Sequence, residues 1–311
     1  MKFGKIKKLI TCVALSATVA CMAGMATGCN AETEHPEVSI TYEFNGKSYV
    51  IEYTLYRNMY PNTVRHFIEL VENGFYNNTI IHDMESNDWF GGAYSYDKEA
   101  YSSLSSSTDT MAEYYELNTK ELTYNSLFEA DKLTATVYGN VWYDGDVQKL
   151  DKNTKLRTLI GEFSDNQHTI EKGALTAEYG CLKMYYSAKE TKKKVFVTPT
   201  NSGHVARDYS KNCATYVFGM QVGTTSTYVA SKYCIFATVK DDSKVENLVS
   251  AVKNYNSEQY GAASADYYIE TEVDVDITEN FSEIDADRYI TETFNSPKTA
   301  IVIKSVKVIS Y

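Results

Sequence analysis

The stretch that decides the fold is Pro61–Gly92, PNTVRHFIELVENGFYNNTIIHDMESNDWFGG. Its first half has apolar side chains at helical spacing, namely Val64, Phe67, Ile68 and Val71. Pro61 and Asn62 are typical of a helix start, and Gly74 is typical of a helix end. The pattern therefore predicts a helix of about three turns.

Two runs before this stretch alternate apolar and polar residues, as half-buried β-strands do. The apolar positions are Val38, Ile40, Tyr42 and Phe44 in the first run and Tyr49, Ile51, Tyr53 and Leu55 in the second. Asn45-Gly46 lies between the runs and is a strong hairpin-turn pair. The 27 tyrosines and 4 prolines of the chain also favour a strand-rich protein.

The spacing Pro61-x-Thr63-Val64-x-x-Phe67-x-x-Leu70-x-x-x-Gly74-x-Tyr76-x-x-Thr79-x-x-His82, followed by Gly91-Gly92, resembles the opening half of cyclophilin-type peptidyl-prolyl isomerases. Later segments resemble that family in the same order: Ile160–Phe163, Lys172–Ala177, Ser231–Phe236, a helix at Val245–Val252 and a closing strand at Ile301–Val306. The resemblance implies a mainly β fold, a cyclophilin-like closed eight-stranded antiparallel β-barrel capped by two helices.

Two stretches lie outside the resemblance and are interpreted as insertions in one domain, 38–311. The first, about 95–155, begins with a segment rich in Ser, Tyr and Asp and continues as an amphipathic or strand-like region. The second, about 255–297, contains the strictly alternating run 268–277 with acidic side chains on one face. Calcium binding is the alternative for that run, but a solvated strand face is favoured because the spacing of a twelve-residue calcium loop is missing.

The family's chemistry is rotation about an X-Pro amide, which is slow because of the partial double-bond character of the amide. The resemblance implies no metal and no cofactor, only an apolar proline pocket and a hydrogen-bond donor that favours the twisted state. That donor is an arginine directly after the histidine that His82 matches. Here the position is Asp83, an acceptor when ionised, so this catalytic position is expected not to work as in the family. Arg207 or Arg65 could replace the missing donor in space.

The resemblance also assigns groove positions around Asp83. Phe90 stands at a glutamine position of the family, and Trp89 is the stand-in for a pocket phenylalanine. Phe218 is expected to keep an apolar wall. His82 is interpreted as a structural residue at a strand end.

Two further groove positions depart from the family pattern. Tyr228 occupies a frequent tryptophan position, and Tyr233 occupies a frequent histidine position. For every one of these aromatic residues, ordinary packing in the core or at its rim remains the alternative to a groove role.

The first 28 residues have the pattern of a bacterial signal peptide, with four lysines followed by the uncharged stretch Leu9–Gly28. Ala26-Thr27-Gly28-Cys29 resembles a lipobox, which predicts cleavage before Cys29, lipid attachment to it and a tether over residues 29–37. A transmembrane anchor and an ordinary cleavage site are the alternatives. We expect a lipid-anchored protein on the outer face of a bacterial cell membrane.

Charge and cysteine content exclude other classes. Removal of the four signal-peptide lysines changes the net charge from −11 to −15, which disfavours nucleic acid as a partner. Three cysteines follow Cys29, and their spacing fits neither a complete disulfide set nor a metal site.

Two functions remain open from the sequence. The first is a peptidyl-prolyl isomerase that assists the folding of exported proteins at the cell surface, with proline-containing segments as partners. The alternative is a catalytically degenerate cyclophilin-like lipoprotein that binds peptides or proteins.

Overall fold

The hairpin predicted near the start of the chain is present in the computed structural model. Strand β1 (Glu37–Phe44) pairs antiparallel with β2 (Lys47–Leu55). The turn residues have positive φ angles, 47° at Asn45 and 72° at Gly46, which is the backbone conformation that favours Asn-Gly at such turns. Alternate side chains of both strands are buried, as the pattern predicted.

The structure describes residues 33–104, 108–134, 141–144, 147–150, 159–164, 168–170, 173–186, 193–200, 203–209, 213–224, 234–261, 263–276 and 289–311. They belong to one compact unit, Glu32–Tyr311. The predicted signal peptide, Cys29, Tyr228 and Tyr233 lie outside the described residues, so what the sequence suggests about them stays a prediction. Among the helices within these ranges, none is both long and apolar enough to cross a membrane.

The other strands are β3 (Thr79–Met84), β4 (Asp88–Ser95), β5 (Val141–Asp144), β6 (Val147–Leu150), β7 (Leu159–Ile160), β8 (Leu182–Tyr186), β9 (Lys193–Thr200), β10 (Gly203–Tyr209), β11 (Cys213–Gln221), β12 (Cys234–Val239), β13 (Tyr268–Asp276), β14 (Tyr289–Pro297) and β15 (Ile301–Ser310). The helices are α1 (Pro61–Glu72), α2 (Lys98–Ser103), α3 (Thr108–Asn118), α4 (Glu121–Glu129) and α5 (Asp242–Tyr260), with a 3₁₀ helix at Ser264–Tyr267.

Eight strands form a closed barrel in the order β4-β3-β15-β1-β2-β12-β8-β11, and β11 pairs back onto β4. Every neighbouring pair is antiparallel. The fold is therefore mainly β, and the predicted closed eight-stranded antiparallel barrel is confirmed.

Helices α1 and α5 pack against the barrel core. Helix α1 buries Val64, Phe67 and Leu70 completely. Helix α5 covers the predicted helix Val245–Val252 and continues to Tyr260. Its buried apolar side chains are Val245, Leu248, Val249 and Val252. The first capping helix is thus where the apolar spacing placed it, and the second is where the resemblance placed it.

The resemblance matched Lys172–Ala177 to a strand of the family, and this assignment was wrong. Residues 173–177 are not in a strand, and the strand that pairs with both β11 and β12 is β8. Met184 lies opposite Phe218 on one side and Cys234 on the other. A second Gly-x-Leu segment, Gly180-Cys181-Leu182, provides the buried strand, while Gly173 and Ala174 are exposed.

Several elements lie outside the barrel order. Helices α2–α4 and the hairpin β5–β6 come between β4 and β7, so the described part of the first insertion is largely helical rather than strand-like. The hairpin β13–β14 comes between α5 and β15. A further hairpin, β9–β10, lies between β8 and β11 and was not anticipated from the sequence.

The acidic run predicted as a solvated strand face is strand β13. Glu270 and Glu272 are exposed, whereas Thr271 and Val273 are buried. No cluster of His, Cys, Asp and Glu that could hold a metal ion occurs among the residues described. The alternation in this run thus separates a solvated acidic face from a buried face.

The insertions build a second apolar core against the outside of the barrel, which we call the outer cluster. Its residues are Ile80, Phe90, Ala93, Tyr94, Tyr101, Met111, Tyr114, Tyr115, Val217, Val273, Phe294 and Val302. They come from the barrel strands β3, β4, β11 and β15, from helices α2 and α3, and from the hairpin β13–β14. The outer cluster therefore covers the side of the barrel where the sequence placed the candidate site.

Candidate functional site

Strand β3 presents the candidate residues through the two-residue period of a β-strand. Ile81 joins the barrel core, and the neighbouring Ile80 belongs to the outer cluster. The pairing of β3 with β4 shifts register between Ile81 and Asp83, so Asp83 lies at an irregularity in the sheet.

Asp83 is buried, with 8% of its surface exposed, and it is engaged by the second insertion. Its Oδ1 accepts a hydrogen bond of 2.9 Å from the backbone N–H of Asn295 in β14. A hydrogen bond from an amide to a carboxylate is stronger than one between neutral groups. The carboxylate of Asp83 thus acts as an acceptor and holds a strand of the same chain.

His82 lies under the same strand. Its ring centroid is 5.1 Å from that of Phe294 and 5.0 Å from that of Tyr94, both in edge-on geometry. Burial lowers the pKa of His82 to about 3, because the charged form loses its hydration. His82 is therefore neutral near pH 7, which agrees with the structural role that the sequence suggested.

Phe90 points outward from β4, and the main chain of β11 makes room for it. A β-carbon on Gly219, the residue opposite Phe90, would lie 2.6 Å from Cε1 of the phenylalanine ring. The Nζ of Lys183 lies 5.4 Å from the ring centroid and 2.6 Å from Oδ2 of Asp88. Phe90 is thus packed between a glycine and a buried ion pair, with 3% of its surface exposed.

Trp89 and Phe218 lie in the barrel core instead of a groove on the outside. The ring of Phe218 packs edge-on against Phe67 at 5.5 Å and Tyr76 at 5.2 Å between centroids. Strand alternation explains both positions, because Phe90 and Gly219, their neighbours, face outward. The structure therefore separates these two residues from Asp83 and His82, with which the sequence had grouped them.

The proposed replacement donors are not brought to Asp83 by any described contact. Arg65 pairs with Glu69 at 3.3 Å and donates to Thr134 Oγ1 at 2.8 Å. Arg207 lies in β10 opposite Val195 of β9, and its side chain lies outside the description. The described geometry thus does not support the expectation that Arg65 or Arg207 replaces the missing donor.

Sequence reasoning missed the residues that the insertions bring to this surface. Besides Asn295 and Phe294, they include Tyr115, whose hydroxyl donates to the carbonyl of His82 at 3.4 Å, and Tyr101, whose hydroxyl donates to the carbonyl of Pro297. The signal that could have found them is the density of aromatic residues in both insertions, which is unusual for solvated loops.

The chain forms a closed antiparallel barrel of eight strands with two capping helices, and its candidate site lies on the outside of β3 and β4. This fold and this site define the class of protein to which the chain belongs. The family model described as cyclophilin type peptidyl-prolyl cis-trans isomerase/CLD matches residues 40–273. This chain belongs to that family.

Two solved structures of a Cryptosporidium parvum cyclophilin type peptidyl-prolyl cis-trans isomerase are similar to this chain. One shares 13% identity, with 89% of this chain and 99% of that chain covered and a TM-score of 0.41. The other, of that enzyme in the presence of the dipeptide Ala-Pro, shares 13% identity with 88% and 99% covered and a TM-score of 0.40. No curated protein matches this chain.

Proposed function

We propose that this protein is an exported, membrane-tethered member of the cyclophilin family whose barrel binds polypeptide segments without turning over X-Pro bonds at the family's rate. The observation that carries the proposal is the hydrogen bond from the Asn295 N–H to Asp83. The resemblance aligns Asp83 with the position at which this family has its donor, and this hydrogen bond supports a role for Asp83 as an acceptor that the chain itself engages.

The chemical argument rests on the twisted transition state. Rotation about an X-Pro bond has a barrier near 20 kcal/mol, and a donor lowers it by favouring the twisted amide. An ionised carboxylate has no proton to donate. Loss of one well-placed donor typically costs about 100-fold in rate.

The steric argument rests on the outer cluster. Phe294 has 6% of its surface exposed and Tyr115 none, and both lie against His82. Strand β14 lies over this part of β3, so a substrate would have to displace it to reach His82 and Asp83. Donor chemistry and access therefore both argue against turnover at this surface.

The signal-peptide pattern and the lipobox-like Ala26–Cys29 support the cellular setting. They favour attachment of the mature chain to the outer face of a bacterial membrane. Its partners would then be exported polypeptides rather than nucleic acid, which the acidic charge disfavours.

The second candidate function is isomerisation of X-Pro bonds in exported proteins that are folding. The match of the family model to residues 40–273 favours it. The two candidates differ in turnover, so one assay separates them.

The test is a protease-coupled assay on an X-Pro peptide, with an established cyclophilin measured beside the wild type and Asp83→Arg. We expect the wild type to be slower by about 100-fold or more. The isomerisation rate of Asp83→Arg should stay as low as that of the wild type, because β14 still covers the surface. Wild-type turnover equal to that of the established enzyme would overturn the proposal in favour of the isomerase.

A further inference from the structure

Strand β14 packs on the outer face of β3, and its contacts there resemble those of a bound peptide. Phe294 is its anchor, with its ring 5.1 Å from the ring of His82 and 6.2 Å from the rings of Tyr94 and Tyr115. The next residue, Asn295, donates its backbone N–H to Asp83. An aromatic side chain and a neighbouring amide are thus recognised together.

The contacts continue toward the end of the strand. Ser296 is completely buried, and its hydroxyl has no hydrogen-bond partner among the residues that the structure describes. The carbonyl of Pro297 accepts from the hydroxyl of Tyr101. Three of these four consecutive residues, Phe294, Asn295 and Pro297, therefore meet matching groups of the barrel and of helices α2 and α3.

We propose that this surface is a docking site for an extended polypeptide segment with an aromatic residue followed by any residue but proline, and that β14 occupies it in cis. The proposal rests on the proposed function, binding without turnover. It names the class of segment that is bound.

The sequence preference follows from the chemistry of the two contacts. The neutral ring of His82 and the rings of Tyr94 and Tyr115 form an aromatic surface that favours an aromatic side chain over an aliphatic one. The residue after the aromatic one in the bound segment must donate its backbone N–H to Asp83, and proline has no N–H. The family's surface, which handles proline, would here select against proline at this position.

Occupation in cis has a consequence for affinity. A segment on the same chain has an effective concentration that can reach about the millimolar range, so a free segment must compete against it. Strands β13 and β14 pair along their whole length, from Tyr268 opposite Pro297 to Asp276 opposite Tyr289, and this pairing holds β14 in place. We therefore expect the wild type to bind free segments weakly and a variant with a loosened β14 to bind them better.

The experiment measures binding of a fluorescent peptide with the sequence of residues 291–297, TETFNSP, by anisotropy. Phe294→Ala removes the anchor in cis and should bind the peptide at least about tenfold more tightly than the wild type. Thr293→Ala, at an exposed position on the same strand, is the matched control and should bind like the wild type. Peptides with Ala for the Phe, or with Pro for the Asn, should lose binding to Phe294→Ala.

A second measurement keeps the test valid if Phe294→Ala folds poorly. In otherwise wild-type protein, Asp83→Leu should speed hydrogen exchange of the Asn295 amide by about tenfold or more, because its acceptor is lost. Equal peptide binding by wild type and Phe294→Ala, equal binding of the proline peptide, or unchanged exchange would overturn the proposal.

Exchange of hairpins between two copies, seen as a dimer of the wild type by light scattering, would also overturn occupation in cis. None of these measurements uses turnover. Their failure is therefore distinguishable from a failure of the proposed function, which the isomerase assay reports.

Discussion

The carboxylate of Glu162 accepts a hydrogen bond of 2.8 Å from the backbone N–H of Thr63, and its other oxygen accepts from the N–H of Asn62 at 3.1 Å. These are first-turn amides of helix α1, which have no partners within the helix. The residue before the helix, Tyr60, makes no side-chain cap bond. A residue about 100 positions away therefore caps α1 and holds it on the barrel.

Glu162→Ala should lower the free energy of unfolding by about 2 kcal/mol, because buried amides of α1 lose their acceptor. Chemical denaturation followed by circular dichroism measures the change. Glu178→Ala, at an exposed position nearby in sequence, is the control and should change stability by less than about 0.5 kcal/mol. Equal effects of both substitutions would show that the cap contributes nothing particular.

Phe67→Ala should destabilise the fold by about 3 kcal/mol or more, because a fully buried ring is replaced by a cavity. The ring lies 5.0 Å from that of Phe236 and 5.2 Å from that of Tyr76 between centroids. Denaturant unfolding measures this loss, with Val50→Ala at a half-exposed position as the control. A loss below about 1 kcal/mol would contradict a tightly packed core around α1.

The burial of His82 should make stability depend on acidity. Its folded pKa of about 3 lies below the ordinary value of 6.5, so the unfolded state binds one more proton between these values. Its contribution to stability is complete above pH 6.5 and is lost as the pH falls toward 3, by about 1.4 kcal/mol per pH unit.

His82→Phe keeps an aromatic ring in the outer cluster and should remove this part of the pH dependence. Thermal unfolding between pH 7 and pH 5 measures the difference from the wild type. His35→Phe, at an exposed position, is the matched control and should keep the wild-type slope. The same loss of stability in all three proteins would exclude His82 as the cause.

Cys29→Ala should move the mature protein from the membrane fraction to the medium or leave the precursor uncut. Lipid on Cys29 provides the membrane affinity that the sequence predicts. Fractionation followed by mass spectrometry of the N-terminus measures both outcomes. Wild-type protein cleaved elsewhere, with an unmodified Cys29, would contradict the lipobox interpretation.

The sequence alone predicted the elements whose signals are local. Asn45-Gly46 between two alternating runs marked the β1–β2 hairpin, and apolar spacing marked α1, because side-chain period and turn chemistry act within a few residues. Helix α5 was predicted only by the resemblance to the family. The order of the family segments then predicted the closed barrel. The position of β8 was missed because Gly173 and Gly180 both begin a Gly-x-Leu-like segment, and local pattern does not show which of the two is buried.

Only the tertiary structure decided what surrounds the candidate site. The resemblance aligned Asp83, an acceptor when ionised, with the family's donor position, but the sequence did not show that Asn295, 212 positions later, supplies the N–H that Asp83 binds. It also grouped Trp89 and Phe218 with the groove, whereas strand alternation directs both into the barrel core. The physical reason is that strand period and charge are properties of a residue and its neighbours, whereas the partner of a buried carboxylate depends on how distant segments pack.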